Sequence, residues 1–331
     1  MPVIIPTKRC DLRCTHCMRD DYSKGDMDPD LLRRFLWEFG KYSKQRKLHS
    51  MTGGEPTIHK ELDALLGTFR ETGHSLYIVT NAQSENGVET IVKNRDIINY
   101  VSISLDAPIA EINDLTRGIG TFDKAVQNAR YYLKNGVNVI FRYVLHDRNV
   151  EYMEHAYTLA QSLGIQKIGF STLHPVAKAG EAGLNSSYDQ LLNAYKKVLD
   201  FKKKYPNIEA GMNTRHMIPY LNPEWPKELC TPIGGALNGM VLLPDGKISF
   251  CCDLVDYDVD ISRYDKSASE KIFNSIIGDF SRESLAEIKE RKQKHINKLK
   301  RRRKEDVANG NLTGARQYIC ENCKYYHFIA E

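Results

Sequence analysis

No stretch of this chain approaches the roughly 20 consecutive apolar residues of a membrane span, which removes helical membrane proteins from consideration. The apolar run in the opening MPVIIPTKRC is far too short for a secretory signal peptide. Net charge is scarce as well: 47 Lys and Arg against 42 Asp and Glu leave +5, too little to name a partner by itself. There is no internal repeat and no low-complexity segment beyond one basic run. These absences leave a soluble cytoplasmic protein of ordinary composition. At 41% hydrophobic residues it can bury a substantial core, and 331 residues suggest one large domain plus a smaller one.

Cysteine is what the chain has instead, eight in all. In a reducing compartment clustered cysteines bind metal more often than they pair. Cys10, Cys14 and Cys17 stand in RCDLRCTHCMRD, where one short loop can hold three irons of a four-iron cluster and leave the fourth without a protein ligand. Cys230, Cys251 or Cys252, Cys320 and Cys323 offer four more thiolates, enough to close a second cluster. Soft, anionic sulfur stabilises both oxidation levels of iron, and Arg9, Arg13 and Arg19 surround the first loop with favourable charge. Structural zinc is the competing reading. The first set has only His16 as a local fourth ligand, whereas the second, C-x20-C-x68-C-x2-C, suits zinc as well as iron.

From Val3 to about Asn213, short runs rich in Val, Ile, Tyr and Ser alternate with stretches of helical period, the pattern of parallel strands joined by crossover helices. Strands are predicted at Val3 to Pro6, Leu48 to Thr52, Leu76 to Thr80, Tyr100 to Leu105, Val137 to Leu145 and Lys167 to Ser171. Helices are predicted at Asp28 to Tyr42, Lys60 to Thr72, Phe122 to Lys134, Glu151 to Leu163 and Ser187 to Lys204. The fold class is α/β, a partial (β/α)6 barrel, and in such folds chemistry sits at the carboxyl ends of the strands. The cysteine loop, Gly53, Asn81 and Asp106 all follow or end a strand. The alternation breaks at Pro223, Pro226 and Pro232, which divides residues 1–221 from a smaller domain at 222–331. There, Met240 to Leu243 and Lys247 to Cys251 read as a hairpin about Pro244-Asp245-Gly246.

CxxxCxxC after the first strand, TGGEPT (Thr52 to Thr57) after the second, TNA (Thr80 to Ala82) after the third, and SLDA with downstream TRGIGTFDKA after the fourth resemble the radical S-adenosylmethionine enzymes. Cys230 to Cys323 is similar to that family's auxiliary-cluster extension, called SPASM or, when shorter, twitch. The resemblance implies two 4Fe-4S clusters, S-adenosyl-L-methionine, and a flavodoxin- or ferredoxin-type electron donor. It assigns the cofactor's amino group to Gly53, Gly54 and Glu55, and its ribose or methionyl part to Asn81, Ser104 and Asp106. Arg117 becomes the partner of its carboxylate, for which a planar fork is preferred over lysine. Many members carry SLDG and a His-Asp pair before that arginine; this chain does not. Each stretch also has a local reading, a tight strand-to-helix turn for GGE and loop capping for Asn81, Ser104 and Asp106.

Strand neighbours face opposite sides, so one of Cys251 and Cys252 ligates, and the SPASM pattern favours Cys251. Cys252 is then a buried small hydrophobe or, by resemblance to radical epimerases, a hydrogen-atom donor. Lys289 to Lys304 holds ten Lys or Arg in sixteen residues, a density that attracts nucleic acid or an acidic peptide but is more often a solvated helix face. The aspartates between Asp253 and Asp265 would attract a cationic substrate, or simply line a wet loop. The resemblance implies hydrogen abstraction from an unactivated carbon of a peptide, leading to an epimer or crosslink. The alternative is epimerisation or dehydrogenation of an aminocyclitol, aminoglycoside or other small carbohydrate, and a distant one is an iron-sulfur nucleic-acid-binding protein.

Overall fold

The computed structural model describes residues 1–19, 22, 25–43, 47–173, 177–213, 234–252 and 275–310. Its contacts divide the chain into Ile4–Asn213 and a second unit made of Met1–Val3 with Thr214–Glu331. The expected boundary at 221/222 lies outside the described residues, as do Cys230, Cys320, Cys323 and the aspartate-rich loop. Among the described residues no helix is long and apolar enough to cross a membrane.

As far as Asn213 the chain runs β1 (Val3–Ile4), α1 (Pro29–Tyr42), β2 (Leu48–Met51), α2 (Leu62–Glu71), β3 (Ser75–Thr80), α3 (Glu85–Lys93), β4 (Ile98–Ser104), α4 (Ala110–Arg117), α5 (Thr121–Lys134), β5 (Val139–Leu145), α6 (Met153–Leu163), β6 (Lys167–Thr172), α7 (Ala177–Glu181), α8 (Tyr188–Lys204) and β7 (Glu209–Met212). The strands lie in sequence order from β1 to β7, and β2 through β7 pair parallel. This is the α/β partial-barrel fold that the alternation predicts. All six expected strands are present, and their ends move by no more than two residues. The sequence reading does not contain α3, α4, α7 or β7. In α3 an Asn-Gly pair, poor in helix propensity, interrupts the pattern; Gly87 is there because a Cβ would strike Thr57.

α1 forms where Asp28 accepts the Asp30 N–H, Pro29 opens the first turn, and Leu32, Phe35, Leu36 and Phe39 make one buried stripe. The sheet has two unlike faces. Leu76, Ile78, Val101, Ile103, Phe141, Tyr143, Ile168 and Phe170 fill one and are buried. By strand parity and register the other carries Tyr77, Val79, Tyr100, Ser102, Ser104, Arg142, Val144 and Ser171. Most of that inner face is half-buried and polar.

In the second unit β8 (Val241–Leu242) and β9 (Lys247–Ser249) form the expected antiparallel hairpin, with Gly246 in the left-handed region, and β10 (Ile276–Asp279) pairs with β9. The basic run lies in α9 (Leu285–Ala308), whose buried stripe is Leu285, Ile288, Lys292, Ile296 and Leu299. The solvated-face reading fails at Lys292. Its ammonium donates to the carbonyls of Asn238 (2.6 Å) and Phe250 (3.2 Å) and lies over the Phe250 ring.

A buried histidine pair ties β2 to β3. His49 Nε2 and His74 Nδ1 are 2.7 Å apart, with Phe39 and Phe69 edge-on to His49. Burial, first of all, lowers His49 to about 3 and His74 to about 4. Below the unfolded value of about 6.5 the unfolded chain therefore binds protons that the folded chain refuses, so stability falls as pH falls. The thermal midpoint should drop between pH 7 and pH 5, each ring contributing at most roughly 1.4 kcal/mol per pH unit. A His49→Phe/His74→Phe variant should show a shallower profile in the same calorimetric scan. An unchanged slope would remove the pair from the acid response.

Candidate active site

The loop after β1 is pinned on both sides before it reaches its first cysteine. Met27 N–H donates to Pro6 O at 2.7 Å, and Arg9 forks onto both Asp26 oxygens at 3.0 and 2.7 Å while reaching Ile58 O at 2.9 Å. On the other side Thr52, Gly54 and Glu55 donate their N–H groups to Ile4, Thr7 and Arg9 at 2.9, 3.1 and 2.7 Å. This backbone approach is what requires two glycines. A Cβ on Gly53, which sits at φ +135°, would lie 2.6 Å from Ile5 Cγ2, and one on Gly54 would strike the carbonyls of Lys8 and Arg9. GGE therefore first of all holds the cysteine loop.

The Glu55 side chain fastens the same stretch to β3. Its Oε1 accepts Thr57 N–H (3.0 Å), Thr57 Oγ1 (2.6 Å) and Thr80 Oγ1 (2.7 Å), and its Oε2 accepts Asn81 N–H (2.7 Å). Burial raises its carboxyl, and these bonds pull it back. Asn81 in turn donates from Nδ2 to Asp11 Oδ1 at 2.6 Å, a second tie to the cysteine loop.

A third tie comes from β4 and α4. Asp106 is 1% exposed, and Arg117 clasps it with Nη2 at 3.0 Å from Oδ1 and Nε at 2.9 Å from Oδ2. Thr116 Oγ1 donates to Oδ2 at 2.8 Å, and His16 Nδ1 lies 3.4 Å from that oxygen. Burial by itself would raise the Asp106 carboxyl, yet Arg117, then His16 and Thr116, hold it below its ordinary range. Thr15 N–H donates to Thr116 O at 3.0 Å, so backbone as well as charge fixes the loop to α4.

The three sulfurs share one pattern. Cys10 Sγ accepts Leu12 N–H at 3.4 Å, Cys17 Sγ accepts Arg19 N–H at 3.4 Å, and Cys14 Sγ has Arg117 Nη1 at 4.0 Å. All three are half-buried. Burial raises the Cys10 thiol to about 12 and Cys14 to about 11, Arg117 pulling the latter back down. Thiols in this state become ligands when a metal displaces their protons. Three half-buried thiols on one turn, each with an N–H donor, fit a four-iron cluster.

The residues expected in the first unit follow or end strands, except Arg117, which ends α4, and four of them hold one another. Glu55, Asn81, Asp106 and Arg117 bond within the chain, and Ser104 is half-buried on the inner face. In the second unit β9 ends at Ser249, so the strand alternation expected to separate Cys251 from Cys252 does not reach them; Cys251 is buried and Cys252 half-buried. Sequence reasoning missed Thr116, the role of His16 toward Asp106, and His146. The last follows β5 directly, where the strand-end rule would have found it. Its Nδ1 accepts Arg148 N–H at 3.2 Å, and its buried Nε2 has no hydrogen-bond partner among the described residues.

Gly54→Ala should displace the loop carbonyls, lowering the thermal stability by roughly 2–3 kcal/mol and reducing iron uptake on reconstitution. Gly67→Ala is the control. It sits in α2 with nothing within 4 Å of a Cβ, so it should gain up to about 1 kcal/mol and bind iron normally. Full iron uptake by Gly54→Ala would show that the close approach is dispensable.

Residues 4–160 match the Radical SAM superfamily. The Fe-coproporphyrin III synthase of Methanosarcina barkeri is 26% identical over 94% of this chain and 83% of its own length. Among solved structures, Streptococcus suis SuiB bound to precursor peptide SuiA superposes with a TM-score of 0.67 at 18% identity, covering 87% of this chain and 63% of SuiB. Native anSMEcpe with bound AdoMet gives 0.66 at 16% identity, covering 90% and 83%. At those identities the two structures speak for the fold. The cysteine loop, the fold and the family match together support a radical SAM enzyme, the match covering residues 4–160, just under half of the chain.

Proposed function

We propose that Cys10, Cys14 and Cys17 hold an open 4Fe-4S cluster, and that the enzyme abstracts hydrogen from an unactivated C–H bond of a peptide during its maturation. The observation that carries this reading is the set of three half-buried thiols, each with one N–H donor, on a loop braced from β2, β3 and α4. When bound, the reduced cluster supplies the electron that splits S-adenosylmethionine into methionine and a 5'-deoxyadenosyl radical. The chain's own part is positional. Glu55 and Asn81 lock the loop to β3, and Asp106 compensates the buried charge of Arg117 beside Cys14.

A peptide is the first substrate class because SuiB and anSMEcpe are described with peptides bound. A second reading rests on the synthase, whose similarity runs along 94% of this chain, and replaces the peptide with a tetrapyrrole. In either case Cys251 joins Cys230, Cys320 and Cys323 in a closed auxiliary cluster of SPASM or twitch type, and a flavodoxin- or ferredoxin-type protein delivers the electron.

Changing Cys10, Cys14 and Cys17 together to Ala should lower bound iron by about one cluster and abolish 5'-deoxyadenosine formation in dithionite. Unchanged iron with activity retained would refute the assignment. Cys320→Ala should lose the auxiliary iron alone and keep some cofactor cleavage, which iron analysis and chromatography of 5'-deoxyadenosine read independently.

A further inference from the structure

The inner face of the sheet holds a cation that no described residue answers. Arg142 lies in the middle of β5, in register with Ser104 on β4 and Gly169 on β6. It is half-buried, yet its guanidinium makes no hydrogen bond or ion pair among the described residues. Its neighbours make room for it. The guanidinium lies across Gly169, where a Cβ would stand 2.9 Å from Nη1, and the next position on that row is Gly211 of β7. Diagonally opposite is Ser102, 1% exposed, whose Oγ is buried and has no partner among the described residues. Tyr100, on the same face, stacks on Tyr77 at 4.7 Å and 10° and feels the Arg142 charge.

A buried hydroxyl without a partner costs free energy. An arginine with five donors and no acceptor is the side chain best matched to a planar oxyanion. A carboxylate held by Arg142 would lie beside Ser102 and could supply the acceptor that its hydroxyl lacks. The placement argues that this carboxylate is not the cofactor's. The cysteine loop, Asn81, Asp106 and His146 all lie at or beyond the strand ends, whereas Arg142 precedes the end of β5 by three residues and its field reaches Tyr100, four residues below Ser104.

We infer that Arg142, with the hydroxyls of Ser102 and Ser104, forms an anion-binding floor on the inner face of the sheet that receives a carboxylate of the substrate. This deepens the proposed reaction and rests on it for the word substrate. The carboxylate could belong to an acidic peptide side chain or to a tetrapyrrole propionate, and the chemistry recognised is the same.

The test is equilibrium binding to the iron-reconstituted protein, which reads recognition apart from turnover. Two acid and neutral pairs serve as probes: coproporphyrin III with its tetramethyl ester, and a short oligoglutamate peptide with its oligoglutamine counterpart. One acid should bind at least about tenfold more tightly than its neutral partner, and the pair that discriminates identifies the source. Arg142→Gln should abolish that discrimination and Arg142→Lys should retain part of it, with S-adenosylmethionine affinity and its reductive cleavage unchanged in both. Equal binding of acid and neutral forms, no binding of either acid, or a loss confined to S-adenosylmethionine affinity would overturn the inference. Failure of the proposed reaction would appear separately, as absence of 5'-deoxyadenosine from the wild-type protein.

Discussion

The buried pair of Asp106 and Arg117 is the interaction on which the site depends. Removing two charges from water costs several kcal/mol each, and their attraction repays this only when the geometry is good and the remaining oxygens are satisfied. Here Arg117 meets both carboxylate oxygens, and Thr116 and His16 crowd the second. The pair lies directly under the cysteine loop, with Arg117 turned to Cys14 and Thr15 hydrogen-bonded beside it. Removing either partner would leave an uncompensated charge where three thiols must become anionic. The pair adds less to global stability than to the shape and charge of one loop.

The same economy recurs on the opposite side. Glu55 uses both oxygens to fasten GGE to the end of β3, and Gly54 exists so that two backbones can touch. Residues spread over more than a hundred positions thus converge on one short loop. The parallel sheet makes this possible by delivering the ends of neighbouring strands side by side. The inner face, polar and half-filled, is left for whatever the loop's chemistry acts upon.

Much of this was legible in the sequence. Six strands and five helices declare themselves by period, and the strand-end rule points at the cysteine loop, Gly53, Asn81 and Asp106. What pattern does not reveal is which groups bond to one another. The fold shows that Asp106 and Arg117 pair with each other, and that both Glu55 oxygens accept hydrogen bonds from Thr57, Thr80 and Asn81. Short elements such as α4 and α7 escape because eight or five residues carry too little periodicity. Arg142 was invisible for a different reason: an arginine inside a strand reads as a surface residue until the register sets it against Gly169 and Ser102. Of the second cysteine set, Cys230, Cys320 and Cys323 lie outside the described residues.

The central claim is that the chain shapes its cysteine loop before iron arrives. Amide hydrogen exchange of the iron-free protein tests it most directly, at Thr15, Gly54, Glu55 and Asn81, whose N–H groups make the bracing bonds. These amides should exchange about as slowly as those of β3 and β4, because their carbonyl and carboxylate acceptors are already in place. Exchange at the rate of an open loop, with protection appearing only after reconstitution, would mean that iron builds the site and the bracing follows.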